Sequence, residues 1–540
     1  MQLSRLSRQV RSPLFNSLIV IGGALLSRIT GLARDVVISA QFGTDADLGA
    51  YYAAFRVTDL LYMVIIGGAL GSSFIPVFIQ VWQRDGSERA WHLASAVVTW
   101  ALALLVLASA LLWVLAPQLT IWFFDATETN IALTARIIRL FLLSPLLLGL
   151  GGLAMAALNA QDRFTLPALA PAIYNLGIIG GAIFLVPFLD IWGLAWGVII
   201  GAGLYLLVQL PGLWDMGMRL HLTLGRGMVE LKTIAQQMTP RVFGQAAAQI
   251  SLLVTAALTT WLTLGFERLA GLNYAYQLML LPYGVFSLSL STVAYPRLAR
   301  LIAENRHAEL DASVRNTLSI ILFLTIPATV ALMILAVPLV RLLYQRFAFD
   351  QTSLRYTVMP LLGYATALPA FAAAEILIRA FYAMQQTWTP VLIGLLQVTL
   401  NLGVGTLALL SGGGVVALTL AFSLATNVEL LLLLIMLGRR RPGIWGERTL
   451  WRSLGATVVA TGGLALLLWA IRRFSLPWLP FLALNGSYAW RQDMLLLLVW
   501  VAVVGGVGSL GYLGIAAALG SREAREVGAR LRTRLRLGRG

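Results

Sequence analysis

Charged side chains interrupt the apolar segments near the beginning of the chain. The first apolar stretch contains Arg28, Arg34 and Asp35. The second contains Arg56 and Asp59. A charge at the centre of a membrane-spanning helix costs about 2.5–3.5 kcal/mol on insertion scales, so such residues are candidates for function. Three guanidinium groups exceed two carboxylates, and arginine's planar fork suits phosphate oxygens. The pattern therefore predicts a site for an anion.

Spacing indicates which of these charges can neutralise each other. Arg28 and Asp35 are seven residues apart and share one helix face. Arg56 and Asp59 are three apart and can pair within their helix. The alternative to an anion site is that Arg28, Arg34 and Arg56 pair with these acids or extend to the membrane interface.

A second group of charges lies later in the chain. Glu375 and Arg379 are four residues apart with the acid first, which is the favourable order for an ion pair on one helix. Glu429 stands in a separate apolar stretch. We expect Glu375 and Arg379 to neutralise each other. The alternative is that Glu375, Glu429 and Asp59 take part in ion coupling.

Several kinds of chemistry are excluded by composition. The chain has no cysteine, so neither a thiolate nucleophile nor a cysteine metal site exists. Its histidines, His92, His221 and His307, fall in predicted loops. Lys232 is the single lysine and follows Leu231, so no phosphate loop with a glycine–lysine pair is present. We expect no cofactor and no ATP hydrolysis. The one small ligand that we expect, if transport is ion-coupled, is a coupling cation of unidentified kind.

The elements that position these residues are membrane helices. The 540 residues are 59% hydrophobic and only 11% charged, whereas soluble proteins average about 25% charged residues. Apolar runs of about 20 residues span a bilayer, and the sequence contains about 14 such segments. We expect an all-α polytopic membrane protein with these helices: 14–40, 48–82, 91–116, 130–159, 165–187, 193–214, 236–264, 269–301, 312–341, 353–385, 388–410, 414–438, 449–471 and 492–519.

The distribution of basic residues predicts the orientation in the membrane. The net charge is +16, but the arginines stand between apolar spans, which is typical of cytoplasmic loops and not of nucleic-acid binding. Both termini are therefore expected in the cytoplasm, with a basic tail at 521–540. The loop containing Arg341, Arg346 and Arg355 departs from the rule, because it is expected outside.

An internal repeat indicates two similar halves. Residues 155–167 (MAALNAQDRFTLP) and 378–390 (IRAFYAMQQTWTP) share a pattern of small, polar and proline positions. A second pair, 50–78 and 272–298, recurs at nearly the same offset. We expect two six-helix lobes related by a pseudo-two-fold axis along the membrane normal. The expected divisions are an N-lobe at 1–220, a C-lobe at 221–440, helices thirteen and fourteen at 441–520, and the basic tail.

A series of motifs resembles a known family. The motifs are SRITGLARD (27–35), FG (42–43), AFR (54–56), GALGSSFIPVF (68–78), PALAPAIYN (167–175), PR (240–241) followed by Gln249, and RAFYAMQQTWTP (379–390). Their order resembles that in the MurJ/MviN lipid II flippases of the MOP exporter superfamily, over helices one to twelve.

This resemblance implies a function and site residues. It implies a fourteen-helix fold that moves an undecaprenyl-pyrophosphate-linked peptidoglycan precursor from the inner to the outer leaflet by alternating access. In the family, arginines of the first two helices and an adjacent acid line the central cavity, and the matching residues are Arg28, Arg34, Asp35 and Arg56. The family's helix-eight arginine is replaced by Gln277, whose amide hydrogen-bonds a phosphate without charge.

Partners and alternatives follow from the same resemblance. The implied partners are a lipid-linked anionic glycan, membrane lipid and cell-wall synthesis enzymes, in the bacterial cytoplasmic membrane and without nucleic acid. The alternatives are a flippase for another polyprenyl-linked glycan, of capsule or O-antigen type, and an ion-coupled multidrug-type exporter. A non-transporting scaffold leaves the membrane arginines unexplained, and an intramembrane enzyme lacks suitable residues.

Overall fold

Helices form the whole regular structure of the part described, which is residues 13–67, 73–124 and 128–525 of a computed structural model. No strand occurs in those ranges, and short π-helical turns interrupt several helices. The helices are α1 (Pro13–Phe42), α2 (Ala46–Tyr62), α3 (Ile75–Phe123), α4 (Glu128–Phe141), α5 (Leu143–Ala160), α6 (Thr165–Gly180), α7 (Val186–Leu189), α8 (Ile191–Leu207), α9 (Leu210–Trp214), α10 (Val229–Thr260), α11 (Gly265–Pro282), α12 (Ser289–Ala303), α13 (His307–Ile334), α14 (Ala336–Tyr344), α15 (Gln351–Ala365), α16 (Leu368–Ala383), α17 (Trp388–Leu410), α18 (Val415–Arg440), α19 (Arg448–Ser475) and α20 (Trp490–Ala518).

The expectation of a multi-pass membrane protein is confirmed, but the count of fourteen helices is not. Among the described residues, 11 helices are long and apolar enough to cross a membrane, or up to 12 if the bent pair α15–α16 is one span. Helices α1 and α10 are outside this count. In α10 the apolar part is short, at Gln245–Thr260.

The predicted loop between the second and third membrane helices is wrong. The expected loop at 83–90 is helical, and α3 continues across it with a kink at Gly86, where φ is 85°. Glycine adopts this left-handed backbone at little steric cost. Two histidines that were expected in loops lie on helices. His92 lies on α3, and His307 is the first residue of α13.

The chain divides into two compact units, Met1–Leu269 and Ala270–Gly540. In the first unit, α6 packs against both α1 and α8, and α2 packs against α4. In the second, α13 packs against α16 and α19, and α17 packs against α18. Buried apolar side chains of α12, α13, α16 and α18 form one core of the second unit, and those of α13, α19 and α20 form another. The predicted lobe boundaries at residues 220 and 440 stay a prediction.

The repeated sequence segments adopt the same local structure. Asp162, between α5 and α6, and Gln385, between α16 and α17, both have a left-handed backbone, with φ of 56° and 60°. After each, a backbone amide donates to a carbonyl five residues earlier, at 3.0 and 2.9 Å, as in a Schellman helix end. The second repeated pair contains π-helical turns, Met63–Gly67 and Tyr283–Leu288. The halves therefore share turns as well as residue types.

The arginines that broke the charge rule have partners within the protein. Arg341 is fully buried, and its guanidinium donates to backbone carbonyls of the loop before α20, including Gly486 O at 2.8 Å. Arg355 donates to Asn485 Oδ1 in the same loop at 2.7 Å. Arg346 donates to carbonyls at the end of α14. Burial lowers the pKa of Arg341 to about 10, so it stays charged at neutral pH. These arginines fix a loop, which explains their exception to the topology pattern.

Candidate functional site

Arg34 and Asp35 form the most buried ion pair among the described residues of the first unit. Arg34 Nε and Nη2 donate to Asp35 Oδ1 at 2.9 and 2.8 Å. Arg34 Nη1 donates to Asn175 Oδ1 on α6 at 3.1 Å. The side-chain exposures are 17% for Arg34 and 5% for Asp35. The guanidinium is thus held in one orientation by residues from two helices, and two of its five N–H groups are left for another acceptor.

Asn175 also ties α6 to the backbone of α1. Its Nδ2 donates to Ser27 O at 3.2 Å and to Thr30 Oγ1 at 3.4 Å. Sequence analysis missed this residue as part of the site, although it stands in the PALAPAIYN motif. A polar amide in an otherwise apolar membrane helix is the signal that identifies it.

Arg28 differs from Arg34 in having a free charge. It lies on α1, six residues before Arg34, and is half-buried. Within the described residues, no ion pair or hydrogen bond of its guanidinium is present. The alternative in which Arg28 pairs with Asp35 does not occur, because Asp35 is held by its neighbour in sequence, Arg34. Arg28 therefore supplies an unneutralised positive charge close to a pre-oriented arginine.

Asp59 lines a cavity of about 300 Å³ within the first unit. Arg56 stands one helical turn earlier on α2 and interacts electrostatically with this carboxylate. The walls come from α2, α4, α5, α6 and α8, and Asp59 is the sole carboxylate among the lining residues described. They are Phe55, Thr58, Asp59, Tyr62, Met63, Phe141, Ser144, Pro145, Leu148, Pro171, Tyr174, Val198 and Tyr205. The wall is mostly apolar, and its few oxygen groups together with the Asp59 carboxylate suit a small cation better than an anion.

In the second unit, the ion pair expected on α16 is present. Arg379 Nη2 is 2.7 Å from Glu375 Oε1. Tyr283, in a π-helical turn, donates its hydroxyl to Glu375 Oε2 at 3.0 Å, a partner that the sequence did not predict. Gln277 lies half-buried on α11, and no hydrogen bond of its amide occurs among the described residues. It is thus a neutral polar group available to a ligand.

The structure brings together some of the predicted residues and leaves one prediction open. Arg34 joins Asp35, and Glu375 joins Arg379, each with a further polar partner from another helix. In the parts of the chain that the structure describes, no three histidine or acidic side chains are grouped to hold a metal ion. The central cavity that the resemblance implies around the arginines stays a prediction.

The amino-acid sequence of this chain is similar to those of known proteins. Residues 38–488 match the sequence model of the family described as "Lipid II flippase MurJ". The chain is 31% identical over 468 residues to "Lipid II flippase MurJ" of Burkholderia cenocepacia, covering 83% of this chain and 89% of that protein. It is 28% identical over 507 residues to "Probable lipid II flippase MurJ" of Rhizobium tropici, covering 91% and 92%.

Solved structures with the same fold include both flippase and multidrug types. One, titled "Lipid II flippase MurJ, inward closed conformation", matches with a TM-score of 0.72 and 22% identity, covering 93% of this chain and 98% of that one. A multidrug resistance MATE family transporter of the MOP superfamily matches with a TM-score of 0.67 and 14% identity, covering 80% and 99%. These likenesses show the fold, while the sequence matches carry the relationship.

Proposed function

Because this chain belongs to the lipid II flippase MurJ family, we propose that it moves lipid II from the inner to the outer leaflet of the bacterial cytoplasmic membrane. It is a multi-pass membrane transporter and not an enzyme. The observation that carries this conclusion is the family match over residues 38–488. Lipid II joins a polyprenyl chain to a sugar–peptide headgroup through a pyrophosphate, so its transport requires a site for a multiply charged anion.

The arginines of the first two helices supply this anion site in the proposal. Arg28 provides the main charge, because no acid in the described residues neutralises it. Arg34 provides orientation, since Asp35 and Asn175 hold its guanidinium and leave two N–H groups. Arg56 adds a third guanidinium one turn before Asp59. Charge-assisted hydrogen bonds to phosphate are about twice as strong as neutral ones. Gln277, in the second unit, stays a predicted uncharged substrate-binding residue.

In this proposal, the membrane potential supplies all or part of the driving force for transport. Moving one charge through 100 mV changes its free energy by about 2.3 kcal/mol. With the inside negative, the field favours outward movement of an anion and inward return of an empty cationic site. This cycle needs no ATP and no cofactor, and it proceeds through alternating exposure of the site to the two leaflets.

A coupling cation has a suitable place at Asp59. The cavity beside it is about 300 Å³, much larger than the roughly 30 Å³ share of one liquid water. Oxygen donors are available from the Asp59 carboxylate and from Thr58, Ser144 and Tyr174. We expect Asp59→Asn to remove any dependence of transport on a sodium or proton gradient. A dependence that is unchanged in Asp59→Asn assigns coupling elsewhere.

The proposal also includes orientation and partners. Both termini are in the cytoplasm, and wall-synthesis enzymes on the opposite face consume the exported precursor. The absence of cysteine from the sequence makes single-cysteine labelling a direct test. Glu88→Cys should react with an impermeant maleimide only from the cytoplasm, whereas Asn485→Cys should react only from outside. The opposite pattern reverses the orientation.

The functional test is rescue of a strain depleted of its own lipid II flippase. The wild-type chain should restore growth, and Arg28→Ala should not, at equal membrane abundance. Arg306→Ala is the matched control, because Arg306 is exposed and pairs with Glu304 and Glu309 at the surface. Rescue of a strain lacking a capsule or O-antigen flippase, without rescue of the lipid II strain, supports the other glycan instead.

A further inference from the structure

A segment between α9 and α10, residues 216–225, lies along one face of α3. We call this segment the strap. It has no helical structure, yet its backbone groups are hydrogen-bonded to side chains of α3 that recur every four residues, on one face of the helix. The bonds are Trp91 Nε1 to Met216 O (3.4 Å), Ser95 Oγ to Arg219 O (3.4 Å), His221 N to Ser95 Oγ (3.3 Å), Thr223 N to Thr99 Oγ1 (3.2 Å) and Trp100 Nε1 to Leu224 O (3.1 Å).

A pair of histidines adds a side-chain link between the strap and α3. His92 Nδ1 and His221 Nε2 are 2.9 Å apart, and the two rings stack with centroids 5.0 Å apart. The strap is therefore attached to α3 by both backbone and side-chain contacts. Because side chains of α3 satisfy five backbone groups of the strap, fewer polar groups of the strap need hydration at the boundary between water and lipid.

The outward side of the strap is apolar. Leu220, Leu222 and Leu224 have 45%, 86% and 46% of their surface exposed. They alternate with Arg219, His221 and Thr223, whose backbone or side chains contact α3. Exposed apolar residues of α3 follow the strap along the same helix toward its membrane part, namely Trp100, Leu104, Leu107 and Leu111. The leucines therefore extend the lipid-facing surface of α3.

Positive charges accompany the strap. Arg219 and Arg226 are exposed, and in the described part of the chain neither guanidinium forms an ion pair. Trp100, which is 45% exposed, bonds to the same segment, whereas Trp91 bonds to it from a buried position. Tryptophan and arginine are typical of the boundary between acyl chains and headgroups, where they contact carbonyl and phosphate oxygens.

We propose that the strap is an interfacial anchor that binds the surface of an anionic phospholipid leaflet. Leu220, Leu222 and Leu224 insert at the boundary of the acyl chains, and Arg219 and Arg226 contact lipid phosphates. The hydrogen bonds to α3 transmit this attachment to the helix, so the leaflet holds residues 91–100 of α3 and the start of α10 together. The inference concerns lipid contact alone and stands whatever molecule the protein transports.

Single-cysteine variants in the cysteine-free chain test this directly. Leu222→Cys is labelled with an environment-sensitive fluorophore and reconstituted in vesicles containing brominated phosphatidylglycerol. Glu88→Cys, which is exposed near the kink of α3, gives the aqueous reference, and Leu107→Cys, which is 70% exposed on α3, gives the acyl-chain reference. Leu222 is an exposed side chain, so its replacement removes little packing.

We expect at least a twofold quenching of the Leu222 label by bromines placed near the headgroup, with weak quenching by aqueous iodide. The Glu88 label should show the reverse. Iodide quenching of Leu222 equal to that of Glu88, without bromine quenching, overturns the anchor. Charge contact is tested by Arg219→Gln/Arg226→Gln, which should abolish the difference in bromine quenching between phosphatidylglycerol and phosphatidylcholine vesicles. An unchanged difference overturns the assigned role of the two arginines.

Discussion

Replacing Arg34 by alanine should destabilise the protein, whereas replacing Arg28 by alanine should leave its stability nearly unchanged. Arg34→Ala removes both hydrogen bonds to Asp35 and leaves a carboxylate that is only 5% exposed without its cation. Breaking a buried ion pair by removing one partner costs about 3–5 kcal/mol. Since about 1.4 kcal/mol is a tenfold change in an equilibrium, the folded population should fall by roughly two to four orders of magnitude relative to the unfolded one. Arg28→Ala removes a side chain without an ion pair and should change stability by about 0.5 kcal/mol or less.

The assay combines stability and transport in the same variants. Thermal unfolding in detergent should show a clearly lower melting temperature for Arg34→Ala and nearly the wild-type value for Arg28→Ala. Rescue of a flippase-depleted strain should fail for both. The double variant Arg34→Ala/Asp35→Ala should recover most of the stability, because no buried carboxylate is left unpaired, and should still fail to transport. A loss of stability in Arg28→Ala as large as in Arg34→Ala, or full rescue by Arg28→Ala, would refute this division of roles.

Substitutions at three other places in the chain test further contacts. Glu375→Gln should lower the melting temperature, because it leaves Arg379 without its acid. The double variant Glu375→Gln/Arg379→Gln should regain part of the lost melting temperature. Equal melting temperatures for the single and double variants contradict the pairing. Gly486→Ala should increase protease cleavage in the loop before α20, because the loop's own backbone leaves no room for a Cβ; an unchanged digest argues against the arginine-fixed loop. Glu523 is half-buried, which raises its pKa, but hydrogen bonds from serines of α13 and α19 outweigh this and lower the pKa from 4.5. The stabilising contribution of the Glu523 carboxylate is therefore present above pH 4.5 and is lost as the pH falls through its lowered pKa. A spin label attached at Arg525→Cys should become more mobile as the pH falls through that range. Glu523→Gln should make the same label mobile at neutral pH, and an immobile label in that variant contradicts the contact.

Features that depend on local spacing were predictable from the sequence. The ion pair of Glu375 and Arg379 follows from four-residue spacing on one helix. The similar turns at Asp162 and Gln385 follow from the repeat. Apolar run lengths indicate the membrane helices, although not their breaks. In each case the decisive interaction lies within a few residues of chain.

Features that depend on contacts between distant segments were not predictable. Spacing favoured Arg28 as the partner of Asp35, but Arg34 takes that place because α6 brings Asn175 against it from the other side. The burial of Arg341 depends on a loop more than 140 residues later. A sequence shows that a charge is present at membrane depth, but packing decides whether the charge is neutralised, structural or free.

The most direct measurement is transport of fluorescent lipid II across vesicles that contain only this protein. We predict that the wild-type chain moves lipid II between leaflets without ATP, faster when an imposed potential favours the movement of an anion, and that Arg28→Ala and Arg56→Ala do not, whereas Arg306→Ala does. Vesicles in which lipid II stays in its original leaflet with the wild-type protein, or in which the Arg28 and Arg56 variants transport at the wild-type rate, contradict the account.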